Sequence, residues 1–213
     1  MNVFIGMEES QVIQQAFEAR GHESWSCDLK PARLNPSRHL RGDVFEMIKR
    51  EPRGGWDLVI FHPVCRLLSV SGQHWNGKPG QRTHAEVEEA VAFFMRCVEE
   101  AKKYPKAMIE NPISIMSTRY RKPDQIIQPN WFGDDASKAT CLWLFNLEPL
   151  AIDPNEQFPP RIVEWKGKLV QRWGNHTDSG QNRLGPTKDP EDRRAARAVT
   201  YPGPARAFAA QWG

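Results

Sequence analysis

Two short stretches of this chain carry residues that could do chemistry together. The apolar run Asp57 to Phe61 breaks into His62-Pro63-Val64-Cys65, followed by the hydroxyl-rich Ser69-Val70-Ser71-Gly72. A buried strand that ends in such a Pro-x-Cys turn hands a thiol to a cleft, and a thiol that loses its proton is a nucleophile. A second apolar run, Ala107-Met108-Ile109, ends in Glu110-Asn111-Pro112, so a carboxyl group and an amide leave the tip of a strand that could lie beside the first. A nucleophile and an acid would then share one edge. Cys27, Cys97 and Cys141 sit inside strand or helix patterns and read as core thiols. No CxxC pair or Cys/His cluster of zinc spacing is present, so neither a disulfide framework nor a metal is expected.

Other polar residues fall where open parallel sheets bind ligands, just past the carboxyl ends of strands. Gly6 and Glu8 follow the first apolar run, Asp28 follows the second, and Asp43 follows a third segment. An acid after the second strand suits a pair of ribose hydroxyls, and one a strand further suits an adenine amino group. A nucleoside-bearing cofactor follows from that pattern. The chain has no GxGxxG, and Glu8-Glu9 at the first turn would repel a pyrophosphate, so a cationic nucleoside such as S-adenosylmethionine suits the turn better than a dinucleotide.

The elements that must position these residues alternate. Asn2 to Gly6 reads as a strand, Glu8-Glu9-Ser10 opens an amphipathic helix running to Arg20 with Gly21 as its C-cap, and Glu23 to Cys27 reads as the next strand. Asp43 to Lys49 forms a short helix or turn, Trp56 to Phe61 a strand, and Thr83-His84-Ala85-Glu86 a capping box before a helix that ends near Lys103. This alternation predicts an α/β fold, a mostly parallel sheet with helices on both faces. From Pro112 to Gly133 neither period is clear. Ala139 to Phe145 reads as a strand, 149–190 as a loop region or a few short strands, and Pro204 to Trp212 as a closing helix.

A chain of 213 residues with 39% hydrophobic and 26% charged residues fits one domain around one core. No apolar run approaches the roughly 20 residues that span a bilayer, and the N-terminus lacks a signal-peptide core, so a cytoplasmic protein is expected. The formal charge of +3 is too small to identify a polyanionic partner. Its distribution says more. Arg119, Arg121, Lys122, Lys138, Arg161, Lys166, Lys168, Arg172, Arg183, Lys188, Arg193, Arg194 and Arg197 are interspersed with Trp131, Trp143, Trp165 and Trp173, a mixture suited to phosphates and bases but equally to a solvated surface over buried tryptophans.

The order strand-Gly, strand-Asp, Gly42-Asp43, Pro-x-Cys with Ser69-Val70-Ser71-Gly72, then Glu110-Asn111, resembles the DNA cytosine-5 methyltransferases, most closely the short phage and prophage type. Further segments carry the resemblance almost end to end: Arg121 to Pro129, Trp131-Phe132-Gly133, Ser137-Lys138, Cys141 to Leu144, and Ala210-Gln211-Trp212-Gly213. The resemblance implies a Rossmann-like methyltransferase fold spanning 1–213, with 149–194 as a reduced target-recognition insertion. It implies S-adenosyl-L-methionine as methyl donor and double-stranded DNA with a flipped-out cytosine as partner. A monomer is expected, in the host cytoplasm if phage-encoded. By the same matching, Cys65 would add to cytosine carbon 6, Glu110 would hold the ring nitrogen with Asn111 shaping its loop, and Lys138 would be the basic residue beside the base. Burial is expected to push Glu110 toward neutrality, and Arg66 to lower the thiol pKa. Phe4, Gly6, Glu8, Asp28, Leu29, Asp43 and Pro63 would line the cofactor site.

Two alternatives stay open on the residues themselves. Val64 and Arg66 flank the cysteine where the family usually has Pro and Gln, which favours a catalytically silent relative that keeps DNA or nucleotide affinity. The small recognition segment favours an enzyme acting on a free pyrimidine nucleotide.

Overall fold

The computed structural model describes residues 1–78, 82–183 and 199–213. Its centre is a seven-stranded sheet of β1 (Asn2–Gly6), β2 (Glu23–Asp28), β3 (His39–Arg41), β4 (Leu58–Phe61), β5 (Lys106–Pro112), β6 (Gln125–Ile127) and β7 (Thr140–Phe145). The spatial order is β3-β2-β1-β4-β5-β7-β6. The first five are mutually parallel, and β7 runs antiparallel to both β5 and β6. The expected mostly parallel α/β sheet is therefore present, with one reversed strand. The order reverses direction between β1 and β4, which makes their carboxyl ends the natural ligand crevice of such a sheet.

Side chains alternate between the two faces with the period of two that a strand imposes. Phe4, Val59, Phe61, Ala107, Ile109, Cys141 and Trp143 pack on one face with α2 (Val44–Met47), α3 (His84–Ala101) and α4 (Met116–Arg119). Val3, Ile5, Leu58, Ile60, Met108, Leu142 and Leu144 pack on the other with α1 (Val12–Glu18) and α5 (Pro202–Trp212). These side chains are nearly or fully enclosed, and each large one stabilises the fold by about 1.5–3 kcal/mol of removed apolar surface. The helix pattern from Thr83 matches α3: Glu86 N donates to Thr83 Oγ1 at 3.1 Å, and Thr83 N donates to Glu86 Oε2 at 2.7 Å.

Several elements differ from the sequence reading. Helix α1 starts at Val12 and not in Glu8-Glu9-Ser10, because Met7 and Gln11 take left-handed φ values of 62° and 61° and fold 7–11 into a turn. The stretch after Pro112, which showed no period, holds α4 and the short β6, both too brief to express one. Within 149–183 the chain forms a separate two-stranded ribbon, β8 (Arg161–Trp165) with β9 (Lys168–Arg172). The rest of 149–194, with Lys188, Pro190, Arg193 and Arg194, and also Arg197, lies outside the described residues. Among the described residues no helix is long and apolar enough to cross a membrane.

Trp143 is fully enclosed against Phe94 and serves the core, which removes it from the set of exposed aromatic contacts. Trp165 is exposed on the ribbon between Arg161 and Lys168. Arg119 pairs with Glu88, and Arg121 with Asp124, so these two cations are already engaged.

Candidate active site at the sheet's carboxyl edge

Strands β4 and β5 lie side by side with Phe61 opposite Ile109, so the residues that follow these two positions leave the sheet at one edge. The structure brings Cys65, Glu110, Asn111, Lys138 and Pro63 together there. Glu110 and Asn111 are not beyond the strand tip as the sequence suggested. They lie inside β5, because β7 continues the ladder past the end of β4, pairing Glu110 with Leu142 and Asn111 with Cys141. Pairing on one side only leaves their other side open to the loop from β4.

That loop is held by two bonds. His62 N donates to Gly6 O at 3.1 Å, extending the β1·β4 register by one residue. The fully buried Asn111 side chain donates from Nδ2 to Pro63 O at 2.8 Å. Pro63 is itself buried, whereas Val64, Cys65 and Arg66 are exposed. Ser69 N and Leu68 N both donate to Cys65 O, at 2.9 and 3.1 Å, closing a turn that keeps the thiol at the rim. Of the four cysteines only Cys65 is exposed.

Charge around the thiol runs in both directions. Its local packing and the negative charge of Glu110 push the Cys65 pKa up, while Lys138 and Arg82 pull it down. Arg66, expected to lower it, bears instead on Arg82 and Glu86. That the charge of Glu110 bears on Cys65 is the electrostatic sign of their proximity.

Glu110 corrects a second expectation. Burial does act to raise its pKa, but the hydrogen bond and charge of His62, then Lys138 and the Thr140 hydroxyl, outweigh it and hold the group below the usual carboxylate value. His62 Nδ1 lies 3.3 Å from Glu110 Oε2, and both side chains are mostly enclosed. The carboxyl group driven toward neutrality is Glu8: its burial raises the pKa from 4.5 to about 7 against the opposing charge of His62. Glu8 Oε1 accepts from Ile13 N at 2.7 Å and Oε2 from Gln14 N at 3.3 Å, so it caps the first turn of α1. His62, read from the sequence as merely preceding Pro63, is the site residue that sequence reasoning missed.

A cleft opens beside Glu110, lined also by Lys138, Thr140, Pro129, Tyr201 and Phe208, with ≈ 380 Å³ of empty space including its open mouth. Phe208 comes from the closing segment that was read only as a helix, and Tyr201 lies just ahead of it. The cleft walls are apolar and aromatic around one carboxylate and one lysine, and Cys65 lies outside that lining.

The residues assigned to a cofactor divide into two groups. Asp28, at the end of β2, and Asp43, ahead of α2, lie close enough that both, after the larger effect of burial, help to raise the Cys27 thiol to about 12. Asp28 Oδ1 accepts from Lys30 N at 2.9 Å, and Asp43 Oδ1 accepts from Phe45 N at 2.9 Å. Leu29, 72% exposed, sits beside them as an uncovered apolar side chain. Phe4 is different: it is wholly enclosed, 5.3 Å from the Trp56 ring, and forms floor rather than lining. Gly6 is small for the protein's own sake, since a Cβ there would stand 2.7 Å from Val44 Cγ2 and 2.9 Å from Phe61 Cδ1.

No group of three or more His, Cys, Asp or Glu that could hold a metal ion occurs among the described residues. No protein-family model and no curated protein matches this chain.

Proposed function

We propose that this protein is an S-adenosylmethionine-dependent DNA cytosine-5 methyltransferase that uses Cys65 as nucleophile and Glu110 as the group facing the cytosine ring nitrogen. The observation that carries the reading is the meeting of an exposed thiol, on the loop after β4, and an enclosed carboxylate within the neighbouring parallel strand β5, the charge of Glu110 bearing on the thiol, with a cleft beside Glu110. The sheet order supports it, being the doubly wound 3-2-1-4-5-6 arrangement with β7 inserted before β6, and it underlies the Rossmann-like methyltransferase fold we assign to 1–213.

Carbon 5 of cytosine is a poor nucleophile. Addition of the Cys65 thiolate to carbon 6 converts the ring into an enamine that can take a methyl group at carbon 5, and loss of the carbon 5 proton then expels the thiolate. Glu110 assists the addition by hydrogen bonding ring nitrogen 3, which makes carbon 6 electrophilic. Asn111 holds the loop that aims the thiol, and Lys138 offsets negative charge beside both groups. A base stacked in a duplex offers no access to carbon 6, so the target nucleotide is turned out into the cleft.

The residues present fit S-adenosylmethionine at the neighbouring crevice. Asp28 and Asp43 supply carboxylate oxygens for ribose hydroxyls and an adenine amino group, and Leu29 offers the apolar surface that a purine ring would cover. When bound, the cofactor supplies the methyl group. Phe4, Gly6 and the helix-capping Glu8 support this rim from beneath, and Pro63 joins it to the cysteine loop. The 149–194 insertion is assigned to target recognition, and the cationic β8–β9 ribbon belongs to it.

Incubation with a duplex containing 5-fluorocytosine and cofactor tests the assignment, because fluorine at carbon 5 blocks the final elimination. A covalent adduct at Cys65 is expected, absent in Cys65→Ser. Folded protein that leaves such DNA wholly noncovalent rejects the assignment.

A further inference from the structure

Three adjacent parallel strands, β1, β4 and β5, lead at one edge of the sheet to Glu8, His62 and Glu110. The imidazole is placed by its own backbone, whose N–H is bound to Gly6 O, and is not free to swing with the loop beyond Pro63. Its Nδ1 faces Glu110 Oε2 at 3.3 Å. Its Nε2 is enclosed and has no hydrogen-bond partner among the described residues. The groups around the pair are Glu8 from the turn after β1, Lys138 and Thr140 from the approach to β7, and Cys65 from the loop after β4.

An enclosed ring with one nitrogen on a carboxylate and the other on nothing is suited to giving up a proton. Protonated, it neutralises Glu110 but buries an Nε2–H that has no acceptor, a costly arrangement once the partner charge is removed. We propose that His62 is a positioning residue for Glu110, holding the carboxylate through Nδ1 in the empty site and supplying the proton that Glu110 then presents to the ring nitrogen of the substrate base.

The inference rests on the cytosine reading above, and its steps balance. The proposed cycle starts from the protonated pair, an imidazolium beside a carboxylate. On entry of the base, Nδ1 passes its proton to the Glu110 carboxylate, leaving neutral imidazole and a carboxylic acid. As the Cys65 thiolate forms its bond to carbon 6, the acid passes that proton to ring nitrogen 3 and becomes a carboxylate again. Expulsion of the thiolate returns the proton by the same route to His62. No outside acid is consumed.

Two variants separate proton supply from support. His62→Gln keeps an N–H donor near Glu110 but has no proton to give; His62→Phe removes both. Thermal melting establishes that each is folded. Carboxyl-carbon NMR of protein without DNA, with Glu110 assigned through Glu110→Gln, follows its charge directly. In the wild type Glu110 stays ionised below the usual glutamate range, and in both variants its midpoint is expected to rise by about one unit or more. Rates of adduct formation on 5-fluorocytosine DNA, from about pH 6 to about pH 9, follow the consequence. Relative to wild type at the same pH, so that the common gain in thiolate cancels, both variants are expected to fall behind by roughly tenfold per pH unit above their new Glu110 midpoint for as long as the wild-type pair keeps its proton.

A His62→Gln protein with the wild-type rate and pH profile reduces His62 to a structural support and overturns the inference, as does a Glu110 midpoint that neither variant moves. Wild-type protein that forms no adduct at any pH rejects the cytosine reading instead, while the NMR titration still decides whether His62 sets the charge of Glu110.

Discussion

The Asn111 side chain donates to the Pro63 carbonyl at 2.8 Å, tying the loop that carries Cys65 to the strand that carries Glu110. This one bond spans β5 and the exit of β4, and it lies beneath the exposed thiol. Replacing Asn111 with Ala removes the donor and leaves a carbonyl unsatisfied in a buried corner, a loss of about 1–3 kcal/mol in stability by urea denaturation. Because the bond aims the thiol as well as holding the fold, adduct formation should fall by more than stability alone explains. Folded Asn111→Ala that traps 5-fluorocytosine DNA at the wild-type rate would show that something else fixes the loop.

Cys65 should be the thiol that alkylates first in folded protein. Cys27, Cys97 and Cys141 are enclosed, and burial pushes all three up. The Cys65 pKa is also raised above its ordinary value, so little thiolate exists near neutrality and the rate with iodoacetamide should climb roughly tenfold per pH unit through the alkaline range. Lys138→Gln and Arg82→Gln each remove a cation that favours the thiolate, and each should slow labelling. Peptide mapping by mass spectrometry reads the order of modification; preferential labelling of another cysteine in the native state contradicts the exposed placement.

Much of this arrangement was legible in the chain, and the rest was hidden for physical reasons. Local signals located well: the capping box at Thr83, the apolar strands and the Pro-x-Cys exit each depend on a few contiguous residues. Glu110 and Asn111 were recognised as site residues but misplaced at a strand tip, because the ladder that contains them is completed by β7, thirty residues away and antiparallel. The partnership of His62 with Glu110 joins β4 to β5 across 48 positions, and no local pattern encodes it. The expected neutral Glu110 failed for the same reason: burial was foreseeable, but the cation-bearing neighbours that outweigh it were not. Tyr201 and Phe208 entered the cleft wall only once the closing segment was seen to share a core with α1 and with Phe132.

Gly6 makes a sharper test of what the first turn is for. If it were small only to admit a ligand, Ala would fit the free protein without strain. Instead the added methyl would press on Val44 and Phe61, two enclosed side chains with no room to yield. Gly6→Ala is therefore expected to destabilise the unliganded protein by about 1–3 kcal/mol, measured by denaturant midpoint at unchanged slope. An unliganded Gly6→Ala protein as stable as wild type would return the residue to the cofactor.

Glu8 gives stability a pH dependence of unusual sign for a carboxylate. Its folded pKa lies near 7 against an ordinary 4.5, so the fold favours the protonated form. Below 4.5 both folded and unfolded chains are protonated and nothing is lost. As pH rises from there the unfolded chain ionises first, stability falls, and the loss is complete above about 7, amounting to ~3 kcal/mol at most. Glu110 acts oppositely, since its depressed value contributes stability that disappears only in acid. Glu8→Gln is neutral throughout and can still accept from Ile13 N, but its amide meets Gln14 N–H without bonding it, at a cost of about 1 kcal/mol. The variant should melt below wild type at pH near 4 and above it near 8, where the buried charge no longer weighs on the fold. Parallel melting curves for the two proteins across that interval would mean that Glu8 ionises without penalty in the native state, and that His62 shields it more completely than its hydrogen-bonded partners imply.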